Sequence, residues 1–290
     1  MLARTLRTLS KNKILAPGYR TLRGTYYRYA LPAIAARRPV RRRSPYQNIY
    51  YCCTQRTGSQ WLKRILRDPL VYRYSGLGVH EYNEIGLNEA RFAGPLPEGT
   101  IGTHLYISYP TYLALPKPAR YRTFFVLRDP RDIAVSWYFA LKYSHGPTAK
   151  VLELRKRLDG LTLDDGLRLS IDSLVDLGLF DAQRSWVSGP PDQSEVGLLR
   201  YEDMAADGRS FVRDLLRDLD IDLPAADFAR LYGRHEYKRI TGGRDQGTED
   251  RHDHYRKGVA GDWRNYLKGP LLAYFLEATG DLVEVLGYQA

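Results

Sequence analysis

Cysteine is scarce in this chain: Cys52 and Cys53 are the only two among 290 residues, and they are adjacent. Two neighbours within one predicted strand cannot build a disulfide framework, so a disulfide-stabilised scaffold is excluded. A reducing compartment is the simplest environment, and we expect a cytoplasmic protein. Two further features are missing: a run of the roughly 20 apolar residues that a membrane-spanning helix needs, and the apolar segment of a signal peptide.

Acidic residues are absent from positions 1–45, which hold 12 arginine or lysine residues. The whole chain has 44 basic and 33 acidic side chains, so 32 basic and 33 acidic residues remain for the other 245 positions. The net charge of +11 therefore comes from an N-terminal arm. We expect residues 1–45 to form a basic arm and residues 46–290 to form the catalytic domain. Because the domain is nearly neutral, we expect no nucleic-acid partner.

The arm allows more than one interpretation. Leu2, Leu6 and Leu9 recur at helical spacing, which is typical of a basic amphipathic segment lying on an anionic membrane surface. Such an arm would make the protein peripheral at the membrane. The alternatives are a solvated arm that packs loosely on the domain and an organelle transit peptide, which is also rich in arginine and free of acid.

The domain begins with a predicted strand, loop and helix. Residues 49–53 form a short apolar run rich in aromatic and β-branched side chains, which predicts a buried strand. Trp61, Leu62, Ile65 and Leu66 share one helical face, and Pro69 predicts the helix end. The loop between them lacks the first glycine and the Gly-Lys-Ser/Thr of a Walker A loop. It still directs backbone N–H groups and a helix dipole at one point, which favours an anion.

Two later stretches carry further cations. Residues 123–127 predict a second buried strand, which ends at Arg128, and Asp129 and Pro130 suit the N-cap and first position of a helix that contains Ser136. Near the C-terminus, Arg256 and Lys257 precede two glycines, Gly258 and Gly261, that allow the backbone to close over a ligand.

These three stretches, in this order, resemble the motifs of sulfotransferases that use 3'-phosphoadenosine 5'-phosphosulfate (PAPS). Residues 56–61 fit the family's 5'-phosphosulfate loop, Arg128 and Ser136 fit its 3'-phosphate motif, and residues 256–263 fit its Arg-Lys-Gly-x-x-Gly-Asp-Trp segment. The resemblance covers roughly residues 46–287. It implies an α/β, P-loop-like three-layer fold in which helices flank a central parallel β-sheet.

The resemblance also implies the site. The cofactor would be PAPS, with the product 3',5'-bisphosphate PAP, and Tyr201 and Tyr237 would lie near the adenine. Glu236 stands where the family has a serine. The residues expected to bind the cofactor are Arg56, Thr57, Gly58, Ser59, Gln60, Trp61, Arg128, Ser136, Tyr201, Tyr237, Arg256, Lys257 and Gly258.

Arg56, His104 and Ser136 are the residues expected to take part in catalysis. Arg56 would stabilise the charge on the leaving oxygen. The resemblance assigns the general base to His104, which we expect at the end of a short strand; many relatives have a lysine at the position of Gly102. No histidine spacing suggests a metal site, since His252 and His254 point in different directions on a helix.

The sequence does not identify the compound that carries the acceptor hydroxyl: a small-molecule alcohol, a phenol, a lipid and a glycan all fit. Two other functions are weighed against sulfuryl transfer. A P-loop-like nucleotide kinase shares the fold, and would need Mg²⁺. A protein that binds nucleic acid or an anionic surface through the basic arm would lose its ligand when residues 1–45 are deleted.

Overall fold

A five-stranded sheet organises the computed structural model, which describes residues 39–81, 87, 96–189 and 196–289. The strands are β1 Asn48–Cys53, β2 Gly78–Glu81, β3 Thr100–Tyr106, β4 Tyr121–Leu127 and β5 Val196–Arg200. Their order across the sheet is β2-β3-β1-β4-β5, and every neighbouring pair is parallel. The parallel sheet and the central place of β1 match the fold that the motifs implied.

Helices cover both faces of the sheet. The helices before β5 are α1 Ser59–Leu66, α2 Pro69–Ser75, α3 Tyr109–Leu113, α4 Pro130–Phe139, α5 Ala149–Leu158, α6 Leu163–Asp176 and α7 Leu179–Ser188. Those after it are α8 Tyr201–Ala206, α9 Gly208–Asp218, α10 Ala225–His235, α11 Tyr237–Ile240, α12 Pro270–Thr279 and α13 Leu282–Val285. A π-helix, Ala140–Ser144, extends α4, and a 3₁₀ helix spans Asp262–Asn265. In the described part of the chain, no helix is long and apolar enough to cross a membrane.

The two faces of β1 belong to two different cores. Ile49, Tyr51 and Cys53 pack in the core shared with α1 and α9, whereas Tyr50 and Cys52 pack in the core shared with α4, α6 and α7. Successive side chains of a strand point to opposite faces, so a strand buried on both sides must be apolar throughout. This explains why the run at 49–53 does not alternate with polar residues. Both cysteines are buried free thiols.

Most predicted elements are found within a few residues of their expected bounds. Asp129 is the N-cap of α4, and its carboxylate accepts a hydrogen bond from the Arg131 N–H at 2.9 Å. Three details differ. Pro69 begins α2 instead of ending α1, β3 continues two residues past His104, and residues 78–81 form β2, for which no strand was predicted.

The described end of the basic arm is joined to the domain. The N–H groups of Arg41 and Ser44 donate to the carbonyls of Arg73 and Ser75 in α2, both at 2.8 Å. Leu2, Leu6 and Leu9 lie outside the described residues, as do all positions up to 38. The membrane and transit-peptide interpretations of the arm therefore remain predictions.

Candidate active site

The turn between β1 and α1 has an unusual backbone. Arg56 has a φ of 70° and Gly58 a φ of 78°. A Cβ at Gly58 would lie 2.3 Å from the terminal methyl of Met204, which can move, so the backbone conformation is the main reason for glycine there. Arg56 has no such freedom, and a left-handed conformation costs a residue with a side chain on the order of 1 kcal/mol or more. The surrounding contacts must hold Arg56 in place.

Two of these contacts come from the 3'-phosphate motif. The Arg56 Nε donates to the Ser136 Oγ at 3.0 Å, and the Arg128 Nη1 donates to the Arg56 carbonyl at 2.8 Å. The guanidinium of Arg56 is half-buried at the cavity wall. Desolvation, reinforced by the charge of Arg128, lowers the pKa of Arg56 to about 10. The side chain is therefore still a cation at neutral pH.

The other residues of the turn differ in what they offer a ligand. The Thr57 side chain is buried, and its hydroxyl donates to the Thr54 carbonyl at 2.9 Å, so it stabilises the turn from inside. The Ser59 hydroxyl lies 3.0 Å from the Tyr106 hydroxyl, and both residues line the cavity. The indole of Trp61 donates to the His235 carbonyl at 2.7 Å.

Arg128 joins three parts of the site. Its guanidinium lies over the Tyr201 ring at 3.9 Å from the ring centre, and its Nη2 is 3.4 Å from the Val259 carbonyl. It is nearly buried, and within the described residues its Nε has no hydrogen-bond partner. A buried donor without a partner is costly. An anion that accepts from this Nε would remove that cost.

The C-terminal motif holds its cations with carboxylates. The Arg256 Nη2 is 2.5 Å from Asp262 and the Lys257 Nζ is 2.6 Å from the other oxygen of the same carboxylate. Arg256 also forms an ion pair with Glu249. Gly258, with a φ of 74°, lies directly over Tyr237, where a Cβ would be 2.5 Å from the ring. The motif thus packs on the aromatic ring expected near the adenine.

Asp132 was not predicted as a site residue, yet it connects the motif of Arg128 to the C-terminal motif. Its carboxylate accepts hydrogen bonds from the Gly261 N–H at 2.7 Å and the Trp263 N–H at 2.8 Å. It also lies 3.8 Å from Arg128. One buried carboxylate therefore sets the position of the C-terminal loop relative to β4. The only sign of this role in the sequence was that Asp132 follows Arg128 by four residues.

His104 lies in β3, where only 2% of its surface is exposed. Its Nε2 is 3.3 Å from the Gln60 side-chain nitrogen, and its Nδ1 has no hydrogen-bond partner among the described residues. Burial, followed by the charges of Lys63 and Arg67, lowers the pKa of His104 to about 3, so the ring is neutral at physiological pH. Gln60 lines the cavity and lies against this ring.

A cavity of about 770 Å³ at the carboxyl edge of the sheet brings the predicted residues together. Of the residues expected in the site, those at its wall are Arg56, Gly58, Ser59, Gln60, Trp61, Arg128, Ser136, Tyr201, Tyr237, Arg256, Lys257 and Gly258. Thr57 and His104 are not among the lining residues. The described chain contains no group of three or more His, Cys, Asp or Glu side chains arranged to hold a metal ion.

Comparison with known proteins decides the family. A model of the sulfotransferase domain matches residues 100–285, which is more than half of the chain. The chain belongs to the sulfotransferase domain family. It is thus a PAPS-dependent sulfotransferase, as the motifs predicted. No curated protein matches the chain.

One solved sulfotransferase shares the fold at low sequence identity, and two further structures show a weaker similarity. The structure of mouse sulfotransferase SULT7A1 complexed with PAP is 20% identical, covers 90% of this chain and 91% of its own, and gives a TM-score of 0.51. A retinol dehydratase in complex with androsterone and the inactive cofactor PAP is 17% identical. The match covers 84% of this chain and 82% of the dehydratase chain, with a TM-score of 0.48. A sulfotransferase from Alicyclobacillus acidocaldarius is 15% identical, and the match covers 87% of this chain and 97% of that chain, with a TM-score of 0.36.

Proposed function

We propose that the cavity binds PAPS between two groups of cations and transfers its sulfuryl group to an acceptor hydroxyl. One observation carries this proposal: Arg56 at the N-terminus of α1, and Arg128, Arg256 and Lys257 beyond it, all line one cavity together with aromatic rings. Charged groups at helix N-termini and guanidinium pairs are the usual recognition elements for phosphate and sulfate. We further propose that residues 46–290 are the catalytic domain.

The 5'-phosphosulfate would lie at the turn of residues 55–60. Arg56 and the first N–H groups of α1 would face its oxygens, with the Ser59 hydroxyl beside them. The 3'-phosphate would accept from Arg128, including the Nε that has no partner in the described part of the chain, and from Arg256 and Lys257. Because Asp262 and Glu249 already pair with Arg256, a phosphate there would share these cations with carboxylates.

The adenine would lie among the aromatic residues at the cavity wall. Tyr201 and Tyr237 both line it, and each ring is held by a contact of its own. Arg128 stacks on Tyr201, and the Tyr237 hydroxyl donates to the Tyr255 carbonyl at 2.9 Å. Rings held in this way provide flat apolar surfaces on which the adenine ring can stack.

Transfer would be an in-line displacement at sulfur. The acceptor oxygen forms the new S–O bond, and the bond to the bridging oxygen breaks and leaves its electron pair on PAP. The acceptor proton passes to a histidine, for which His104 is our candidate. Arg56 would stabilise the charge that grows on the bridging oxygen, and it stays charged while doing so. This scheme requires no metal ion.

Calorimetry with PAP and adenosine 5'-monophosphate (AMP) in EDTA tests the cofactor site. PAP should bind, and AMP should bind more weakly because it lacks the 3'-phosphate. Loss of one charge-assisted contact costs roughly 1.5–3 kcal/mol, so PAP should bind at least about ten times more tightly. Arg256→Gln should remove most of this advantage.

Arg239→Gln is the matched control, since Arg239 is an exposed arginine near the same loop that does not line the cavity. It should keep the preference for PAP. Equal affinities of the unmodified protein for PAP and AMP would refute the 3'-phosphate assignment. Binding that disappears in EDTA would refute the metal-free scheme.

A further inference from the structure

The charge of the cavity wall is one-sided. Its described lining residues include six cationic side chains and no carboxylate; the cations are Arg56, Arg64, Arg128, Lys150, Arg256 and Lys257. The proposed function uses four of them for the phosphosulfate and the 3'-phosphate. Arg64 and Lys150 are left over. A cleft lined by one sign of charge concentrates ligands of the opposite sign.

Arg64 and Lys150 line the cavity from two different helices, α1 and α5. Arg64 is on α1, and its guanidinium is 5.9 Å from the centre of the Tyr255 ring. Lys150 is in the first turn of α5, which has Thr148 as its N-cap and no acidic residue in that turn. Both side chains are exposed, and among the described residues neither forms an ion pair with a carboxylate.

The cavity wall also has features suited to an organic acceptor. Val151, Leu154 and Leu177 give the wall an apolar surface, and His145 and His254 add imidazole rings. The His145 Nδ1 is 3.0 Å from the Gly146 carbonyl, which can only accept, so the proton is on Nδ1 and Nε2 is free to accept.

Neither imidazole adds a positive charge at neutral pH. Desolvation lowers the pKa of His145, and it does the same for His254, with the charge of Arg56 as a further cause in both. Arg64 and Lys150 are therefore the permanent charges in this region.

We infer that the acceptor is a hydroxyl compound that carries its own anionic group, a carboxylate, sulfate or phosphate, and that Arg64 and Lys150 bind this group. The inference rests on the proposed function. The other four cations offset the negative charge of bound PAPS only in part, because Arg256 and Lys257 already pair with carboxylates. Bound PAPS would therefore repel an anionic acceptor unless further cations were present. The two additional cations answer that requirement, and a neutral acceptor would not need them.

Three phenols of similar shape and acidity test the inference: 3-(4-hydroxyphenyl)propionate, its neutral amide and the cationic tyramine. With saturating PAPS, kcat/KM should be about tenfold or more higher for the propionate than for the amide, the gain expected of one charge-assisted contact. Tyramine should be the poorest acceptor. The difference should appear in KM and should shrink as salt is added.

Variants identify the residues responsible. Arg64→Gln and Lys150→Gln should each bring the propionate-to-amide ratio of kcat/KM closer to one. Lys156→Gln, an exposed lysine on the same helix as Lys150 that does not line the cavity, should leave the ratio unchanged. Tryptophan fluorescence, to which the lining residues Trp61 and Trp137 contribute, provides a binding readout that does not depend on turnover.

The outcomes separate the inference from the proposed function. Equal binding and equal kcat/KM for the propionate and the amide, or a preference for tyramine, would overturn the anionic acceptor while leaving sulfuryl transfer intact. If none of the phenols is sulfated, the fluorescence titration still decides whether the propionate is preferred. Failure of the proposed function would appear separately, as equal affinities for PAP and AMP.

Discussion

Arg56→Ala is expected to slow sulfuryl transfer on the order of 10²–10³-fold in single turnover, the loss found when one preorganised charge-stabilising donor is removed from an active site. The charge on the bridging oxygen develops only as the S–O bond breaks. A cation that faces this oxygen therefore lowers the barrier more than it strengthens binding of PAPS. The effect should fall on the rate of transfer and much less on the affinity for PAP.

The structure explains why this arginine is preorganised. Arg56 is held at a φ of 70°, its Nε is bonded to Ser136, and Arg128 bonds to its carbonyl. The site thus keeps the cation in place before the reaction begins. Alanine also has a Cβ, so the substitution leaves the backbone cost at this position nearly unchanged, and a large change in folding is not expected.

Arg56→Lys is the matched variant, and it should recover much of the rate because lysine keeps a cation that can face the bridging oxygen. PAP affinity by calorimetry and the thermal midpoint serve as controls. If Arg56→Ala loses PAP affinity by the same factor as rate, Arg56 binds the ground state only. That result would contradict its role at the leaving oxygen.

His104→Ala is expected to reduce transfer on the order of 10²–10⁴-fold, the contribution of a positioned general base. The loss should be smaller for acidic phenols than for aliphatic alcohols, since an acidic acceptor gives up its proton more easily. Because His104 is proposed to touch the acceptor and not the nucleotide, PAP affinity should change little. Single-turnover rates across acceptors of graded pKa measure this directly.

The burial of His104 makes the pH dependence informative. Since its pKa is lowered to about 3 by burial, the ring stays neutral well below its ordinary pKa of 6.5. Protonation of His104 should therefore cause no fall in rate as the pH drops through 6.5. A fall there would indicate that a histidine with an ordinary pKa is the base.

His145→Ala is the comparison to make beside His104→Ala. His145 lines the cavity and has a free Nε2, whereas Gln60 lies against the His104 ring. If the loss in His145→Ala depends on acceptor pKa and the loss in His104→Ala does not, the base is His145. A His104→Ala variant that loses PAP binding as well would show that His104 is structural.

The sequence predicted the parts of the site that depend on local order. The apolar run of β1, the turn at Arg56 and the amphipathic face of α1 are contiguous in the sequence. The strand, the turn and the helix could therefore be predicted from the spacing of the apolar residues and from the residue types. Asp129 and Pro130 at the start of α4 were likewise readable from capping preferences. The three-layer parallel fold then followed from the family resemblance.

Contacts between distant segments were not predictable in the same way. Asp132 bonds to Gly261 and Trp263, 129 and 131 residues further along the chain, and no local pattern indicates such partners. The inward orientation of the Thr57 hydroxyl depends on a carbonyl of the same tight turn. β2 has only four residues and lies at the sheet edge, too short for a periodic signal.

The most direct test of the account is to follow labelled sulfate from PAPS in EDTA, with a pooled set of phenols, alcohols, glycans and lipids as acceptors. We predict that the unmodified protein places the label on an acceptor and forms one PAP for each sulfate transferred, and that Arg56→Ala loses this activity in the same assay. Release of the label as free sulfate only, or equal transfer by the protein and by Arg56→Ala, would contradict the account.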